Sequence, residues 1–206
     1  MRRRAGVSRQ LGQLLILTDL LLASLAPSFA PLLAHSWSLT KASDYRILNQ
    51  GSLTIDNIDD KAEYEDVLRA LETVGAKKEQ VDTMLQLLAG IMHLGNVEFE
   101  ADEHDNAQIK ASCKSTSLKH SMKLLQCPVL DVKLMTRIVK AKGRNSIYTV
   151  PLNLTEAQEA RDALAKAVYD NLFFYLISLC NSNLHSHSKI EVRQSRERSD
   201  ESRQRA

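Results

Sequence analysis

The stretch from Pro151 to Tyr175, PLNLTEAQEARDALAKAVYDNLFFY, joins a helix-start signal to a long apolar stripe. Thr155 is a suitable N-cap, because its side-chain oxygen can accept a hydrogen bond from the first exposed amides. Glu156 and Glu159 place negative charge at the positive end of the helix, and Asp162 can pair with Lys166 on the outer face. Apolar residues recur at helical spacing: Ala157, Ala160, Leu164, Ala167, Val168, Leu172, Tyr175, Leu176 and Leu179. The pattern predicts a helix of roughly 25 residues that docks along its whole length.

The preceding part of the chain predicts helices and short strands. Asp59 or Asp60 caps a helix that Gly75 ends, and a second apolar stripe runs from Val81 to Met92 and ends near Gly95. Residues 97–99 and 107–111 can pair as edge strands around an acidic turn. Two more helices are expected over about residues 115–125 and 129–139, with Pro128 between them. The predicted fold class is mainly α with a few short β-strands.

Three blocks of this sequence resemble the motor domain of myosin heavy chains. Residues 161–166, RDALAK, follow Pro-Leu-Asn and resemble the helix that precedes switch II. Residues 87–99, LLAGIMHLGNVEF, look like a helix-to-strand passage of the same motor, and residues 44–50, DYRILNQ, are similar to its Tyr-x-x-Leu-Asn-Gln segment. The resemblance covers about residues 39–182. It implies an internal fragment of the upper actin-binding subdomain, part of a P-loop NTPase-related α/β fold without the central nucleotide-binding sheet elements.

The intact motors of that family bind ATP and magnesium through a phosphate loop and two switch segments, which this sequence does not match. Gly90 and Gly95 have the spacing of a phosphate loop, but Asn96 and Val97 stand where Lys and Ser or Thr are required. We therefore expect Gly90 to be a close helix-packing contact and Gly95 a C-cap. We assign no catalytic residue, cofactor-binding residue or metal ligand, and expect no ATP hydrolysis by this chain alone.

Charge is distributed unevenly along the sequence. Asp44 to Asp105 contains 15 acidic and 5 basic residues, whereas Lys110 to Val150 contains 9 basic residues opposed only by Asp131. Such a basic region is either a solvated face or a docking surface for an acidic partner.

The best candidate binding site is the stretch of residues 137–150, RIVKAKGRNSIYTV, in which a tight turn at Gly143 is flanked by cations. The myosin loop at this place touches the actin filament, whose surface is acidic. The resemblance therefore implies actin binding by Arg137, Lys140, Lys142 and Arg144. A solvated basic hairpin is the alternative.

Ser146 is a candidate phosphorylation site. In the family, the position sixteen residues before the Asp of Asp-Ala-Leu-Ala-Lys carries an acidic residue in many classes and a phosphorylatable Ser or Thr in others, and counting back from Asp162 gives Ser146. Arg144 supplies the basic residue that a basophilic kinase would hold, so a phosphate could provide the negative charge that other classes encode. A plain loop serine is the alternative.

The remaining residues carry weaker signals. His93 lies on an apolar helix and is expected to be structural, and three cysteines without a Cys-x-x-Cys pair are ordinary in a reducing cytosol. Residues 1–38 form a divergent N-terminal segment that imitates a secretory signal, but Asp19 interrupts its apolar run; a misplaced gene start is the other explanation. Residues 183–206 are too charged to bury a core, which predicts a disordered tail.

Together these patterns predict a fragment of an actin-based motor in the cytoplasm, at the actin cytoskeleton. Its expected partners are the actin filament and the rest of the myosin heavy chain, with no nucleic acid and no membrane span. The alternative function is a non-motor helical protein-interaction domain, secreted if the N-terminal signal is genuine.

Overall fold

The computed structural model describes residues 37–49, 59–140 and 147–204, with side chains in the last range as far as Ser182. Within these ranges, six α-helices and two separate antiparallel strand pairs follow a one-turn 3-10 helix at Ala42–Asp44. The elements are α1 (Asp60–Thr73), α2 (Lys78–Gly95), β1 (Phe99–Ala101), β2 (Ala107–Ile109), α3 (Ala111–Lys114), α4 (Ser117–Leu124), α5 (Leu130–Met135), β3 (Thr136–Lys140), β4 (Ile147–Pro151) and α6 (Leu154–Gln204). The predicted fold class, mainly α with a few short strands, is confirmed.

The boundaries of α1 and α2 follow the predicted signals. Asp59 Oδ1 accepts a hydrogen bond from the Ala62 amide at 3.4 Å, as an N-cap does. Gly75 ends the turn after α1 with φ of 86°, a conformation that favours glycine. Gln80 Oε1 accepts a bond from the Lys77 amide at 2.9 Å and so caps the start of α2.

The predicted strands around the acidic turn are present. β1 and β2 pair antiparallel, with Phe99 opposite Ile109 and Ala101 opposite Ala107. Asp102 closes the turn, because its Oδ1 accepts hydrogen bonds from the amides of His104 and Asn106, each at 2.8 Å. Phe99, Ala107 and Ile109 are buried, so this small sheet packs one face on the core.

The segment after β2 departs from the prediction. One predicted helix over 115–125 is two helices, α3 and α4, and the helix predicted over 129–139 ends at Met135. Residues 136–139 belong to strand β3 instead. Thr136, Ile138 and Val139 are β-branched, and they pair with β4, which no local helical pattern reveals.

Helix α6 begins and extends differently from the prediction. Its N-cap is Asn153 and not Thr155: Asn153 Oδ1 accepts from the Glu156 amide at 2.9 Å, and Glu156 Oε2 accepts from the Asn153 amide at 3.1 Å. These reciprocal bonds form a capping box two residues earlier than expected. The helix also continues to Gln204 through the tail for which the sequence predicts disorder. The composition argument concerned core burial, and a helix that extends away from the core is compatible with it.

The core lies where the first four turns of α6 meet α2, α4, α5 and the β1–β2 pair. On α6 the fully buried positions are Ala157, Arg161, Ala165 and Tyr169, and Leu164, Val168 and Leu172 pack at the margin. Further along, Phe174 is 68% exposed. The prediction that α6 docks along its whole length is therefore wrong, since the docked face ends near Leu172.

The outer face of α6 also differs from the prediction. Asp162 Oδ1 pairs with Arg46 Nη2 at 2.6 Å and with Arg161 Nε at 2.8 Å, instead of pairing with Lys166. Arg46 comes from a segment 116 residues away in sequence. Local i,i+4 spacing could not reveal this partner.

Trp37 is part of the core, although the sequence assigns it to the divergent segment of residues 1–38. It is 8% exposed, and its carbonyl accepts a hydrogen bond from His93 Nε2 at 2.9 Å. The remainder of that segment, residues 1–36, lies outside the described residues.

Candidate functional site

The predicted binding stretch forms a β-hairpin built from β3 and β4. The register pairs Arg137 with Val150, Val139 with Tyr148, and Lys140 with Ile147. Because partners across an antiparallel pair share a face, Arg137, Val139, Tyr148 and Val150 lie on one face. The other face carries Thr136, Ile138, Lys140, Ile147 and Thr149.

Both faces of this hairpin present apolar side chains to solvent. Ile138 is 60% exposed and Ile147 62% exposed on one face, while Tyr148 is 54% and Val139 40% exposed on the other. Surface residues of this size next to cations are more typical of an interaction surface than of a purely solvated turn. The combination suits a partner that offers both carboxylates and apolar contacts.

The four predicted cations have different outcomes. Arg137 lies on β3, and its Nη1 contacts Glu156 Oε1 of α6 at 3.2 Å. Lys140 ends β3, is exposed, and makes no ion pair among the described residues. Lys142 and Arg144 lie outside the described residues, as does Ser146, so their predicted roles stay predictions.

The base of the hairpin is fixed to the body by one residue, Leu152. Its amide donates to the Met135 carbonyl at 2.9 Å, and its carbonyl accepts from the Ala107 amide at 2.7 Å. Leu152 is also 6% exposed and belongs to the core. The hairpin therefore projects from a firm base, which gives its outer residues a defined place on the protein.

The Gly-x4-Gly spacing does not form a phosphate-binding loop. Gly90 and Gly95 both lie within α2, and side chains occupy the space beside each. A Cβ on Gly90 would lie 2.7 Å from Leu125 Cδ2, and a Cβ on Gly95 would lie 2.5 Å from Ile47 Cδ1. The close-packing prediction for Gly90 is confirmed. The C-cap prediction for Gly95 is wrong, because Asn96 caps the helix and Gly95 is required for close packing. These residues do not fit ATP or magnesium.

His93 has the structural role predicted for it. It is 5% exposed, bonds the Trp37 carbonyl, and lies edge-on to the rings of Tyr45 and His120 at centroid distances of 5.7 and 4.9 Å. Burial lowers the pKa of His93, against the opposing effect of its bond to Trp37. Its neutral form is therefore favoured in the fold.

A buried arginine on α6 is a feature that sequence reasoning missed. Arg161 is 5% exposed, donates to the Val97 carbonyl at 2.7 Å, and lies over the Phe99 ring at 5.9 Å from its centroid. Arg46 donates to the Gly95 carbonyl at 3.0 Å, so two guanidinium groups serve backbone carbonyls around the end of α2. An arginine within an apolar stripe was the available signal.

The exposed part of α6 borders an open groove against α2, with a volume of about 770 Å³. Its floor includes Leu87, Leu164, Val168 and Leu172, and Gln80 Nε2 bridges its rim to Tyr175 Oη at 2.9 Å. By length and composition, Leu154–Ser182 qualifies as a candidate membrane span. The buried face of its first four turns accounts for much of that apolar composition as a core helix.

Comparison with known proteins identifies the family. The family model described as myosin head (motor domain) matches residues 22–194, a span wider at both ends than the resemblance over 39–182. Unconventional myosin-Ic of Aquarana catesbeiana is 36% identical over 146 residues, which cover 69% of this chain and 14% of the relative. Myosin-1 of Vanderwaltozyma polyspora is 32% identical over 140 residues, 66% of this chain and 11% of the relative. Myosin IB heavy chain of Dictyostelium discoideum is 31% identical over 157 residues, 73% of this chain and 14% of the relative. The chain thus spans a small part of the length of these relatives, and it belongs to the myosin motor-domain family.

Proposed function

We propose that this chain is a fragment of an actin-based, ATP-driven motor and that its β3–β4 hairpin contacts the actin filament. The observation that supports this most directly is the projecting hairpin itself, which joins cations to exposed apolar side chains on a base fixed by Leu152. Arg137 and Lys140 are its described cations, and Lys142 and Arg144 complete the proposed set. Acidic groups on the filament would attract them, and apolar contacts would add affinity.

Ser146 is the proposed regulatory position of the same hairpin. A phosphate there would add about −1.5 to −2 charges at pH 7 among these cations. We propose that it replaces the acidic residue that other classes of the family carry. Ser146→Ala and Ser146→Glu versions of a motor containing this chain should differ in actin-activated turnover. Equal turnover would contradict the role of Ser146 and leave the hairpin proposal intact.

The remaining proposed partner is the rest of the myosin heavy chain. The exposed apolar side chains of α6, Phe173, Phe174, Tyr175 and Ile177, are suited to packing against it. ATP and magnesium would be bound by those other segments, so this chain should not hydrolyse ATP alone. Its location follows from the same proposal: the cytoplasm, at the actin cytoskeleton in a myosin complex.

The hairpin proposal is tested by co-sedimentation of the purified chain with actin filaments over a series of salt concentrations. We expect weak pelleting at low ionic strength that decreases as salt screens the cations. Replacing Arg137 and Lys140 together by Gln should weaken it further. Binding that ignores both salt and these substitutions would overturn the proposal, as would no pelleting at any salt concentration.

A further inference from the structure

Arg137 is already held by a carboxylate within the protein, and the inference drawn from this contact rests on the proposed actin-binding function. Its Nη1 lies 3.2 Å from Glu156 Oε1, the only ion pair of the hairpin among the described residues. The side chains of Arg137 and Glu156 are 57% and 35% exposed, so both groups remain accessible from solvent. An acidic surface that approaches β3 must therefore compete with Glu156 for this guanidinium.

Glu156 is held in place independently of Arg137. Its other oxygen, Oε2, accepts from the Asn153 amide at 3.1 Å, and its own amide donates to Asn153 Oδ1 at 2.9 Å. This capping box belongs to the first turn of α6, and Ala157 in the same turn is fully buried. The carboxylate therefore stays beside β3 whether or not Arg137 is bound to it.

We propose that Glu156 is an internal competitor for Arg137 and thereby lowers the affinity of the hairpin for acidic partner surfaces. Exposed ion pairs are weak, and salt screens them, so an external carboxylate can replace Glu156 at little cost. While the pair persists, Glu156 also cancels one of the two described positive charges that would attract the partner.

The test replaces Glu156 by Gln in the full chain and measures binding to actin filaments at low ionic strength. Gln also forms a capping box, so the start of α6 should be preserved, while the competing charge is lost. We expect the dissociation constant to fall about two- to fivefold, the effect of a pair worth up to about 1 kcal/mol. The salt dependence should become steeper, because Arg137 is then free to contact the filament.

Glu159→Gln is the matched control. It removes the same charge one turn further along α6, where Glu159 is exposed and makes no ion pair among the described residues. A second control places Glu156→Gln in an Arg137→Gln background, where the gain in affinity should disappear if the two residues act through each other.

The outcomes separate this inference from the proposed function. Equal effects of the two glutamate substitutions would overturn the competitor role, because only overall charge would matter. Weaker binding by Glu156→Gln would also overturn it and would indicate that the pair positions the hairpin. If binding is absent, or is unaffected by Arg137→Gln and Lys140→Gln together, the actin-binding proposal itself fails.

Discussion

Helix α6 makes two ionic contacts six residues apart, and they differ in almost every physical respect. Arg161 is 5% exposed and donates to a backbone carbonyl of the core, whereas Glu156 meets Arg137 on an exposed hairpin. A buried guanidinium has no water to replace a lost partner, while exposed partners are readily solvated. The first contact should therefore matter for stability and the second for binding.

The largest expected effect tests the buried contact. Arg161→Met keeps an apolar stem on α6 but leaves the Val97 carbonyl without its 2.7 Å donor and removes the cation over Phe99. We expect the free energy of unfolding to fall by about 2–3 kcal/mol. Urea unfolding followed by circular dichroism measures it. Arg137→Met is the matched control, with an expected change below about 0.5 kcal/mol; similar losses in both variants would contradict the comparison.

The next prediction concerns how tightly the core half of the molecule is packed. A Cβ added at Gly90 would come within 2.9 Å of Leu125 Cγ and 3.2 Å of Leu124 Cβ, so Gly90→Ala should destabilise the fold by about 1–3 kcal/mol. At Gly95 the clash is with the Ile47 side chain alone, whose terminal Cδ1 can move. Gly95→Ala should therefore cost less. Thermal unfolding of both variants checks the order, and a reversed order would contradict the packing argument.

The same division between core and hairpin explains what the sequence could predict. Periodic apolar residues located α1, α2 and α6, because burial of one helical face leaves a repeat that is visible locally. The N-cap of α6 was misplaced because Asn153 and Thr155 are both good capping residues two positions apart. Strand β3 was taken for a helix because Leu130 and Leu134 begin a helical repeat, and its strand partner lies beyond the turn.

Contacts between distant segments were the part that sequence could not supply. Charge alone identified the basic hairpin, and both Arg137 and Lys140 lie on it. That Glu156 binds Arg137, or that Arg46 binds Asp162, depends on how separate elements pack. A cation counted from sequence is therefore a candidate, and only the structure shows whether an internal carboxylate already holds it.

A smaller effect of opposite sign is expected at Tyr169. Its hydroxyl is buried and is without a hydrogen-bond partner among the described residues, and burial raises the pKa of this phenol. Tyr169→Phe removes the unpaired group and should stabilise the protein by about 1 kcal/mol. Tyr175→Phe is the control, because it loses the exposed bond from Gln80 and should be neutral or slightly destabilising. A destabilised Tyr169→Phe variant would show that the hydroxyl has a partner.

The smallest expected difference distinguishes the two described cations of the hairpin. Lys140 makes no ion pair among the described residues, whereas Arg137 must first leave Glu156 before it can bind elsewhere. Lys140→Gln should therefore weaken filament binding about twofold more than Arg137→Gln, and neither should change unfolding by more than about 0.5 kcal/mol. Co-sedimentation at low salt measures the difference. A greater loss with Arg137→Gln would mean that the guanidinium contributes a bidentate contact strong enough to outweigh its internal partner.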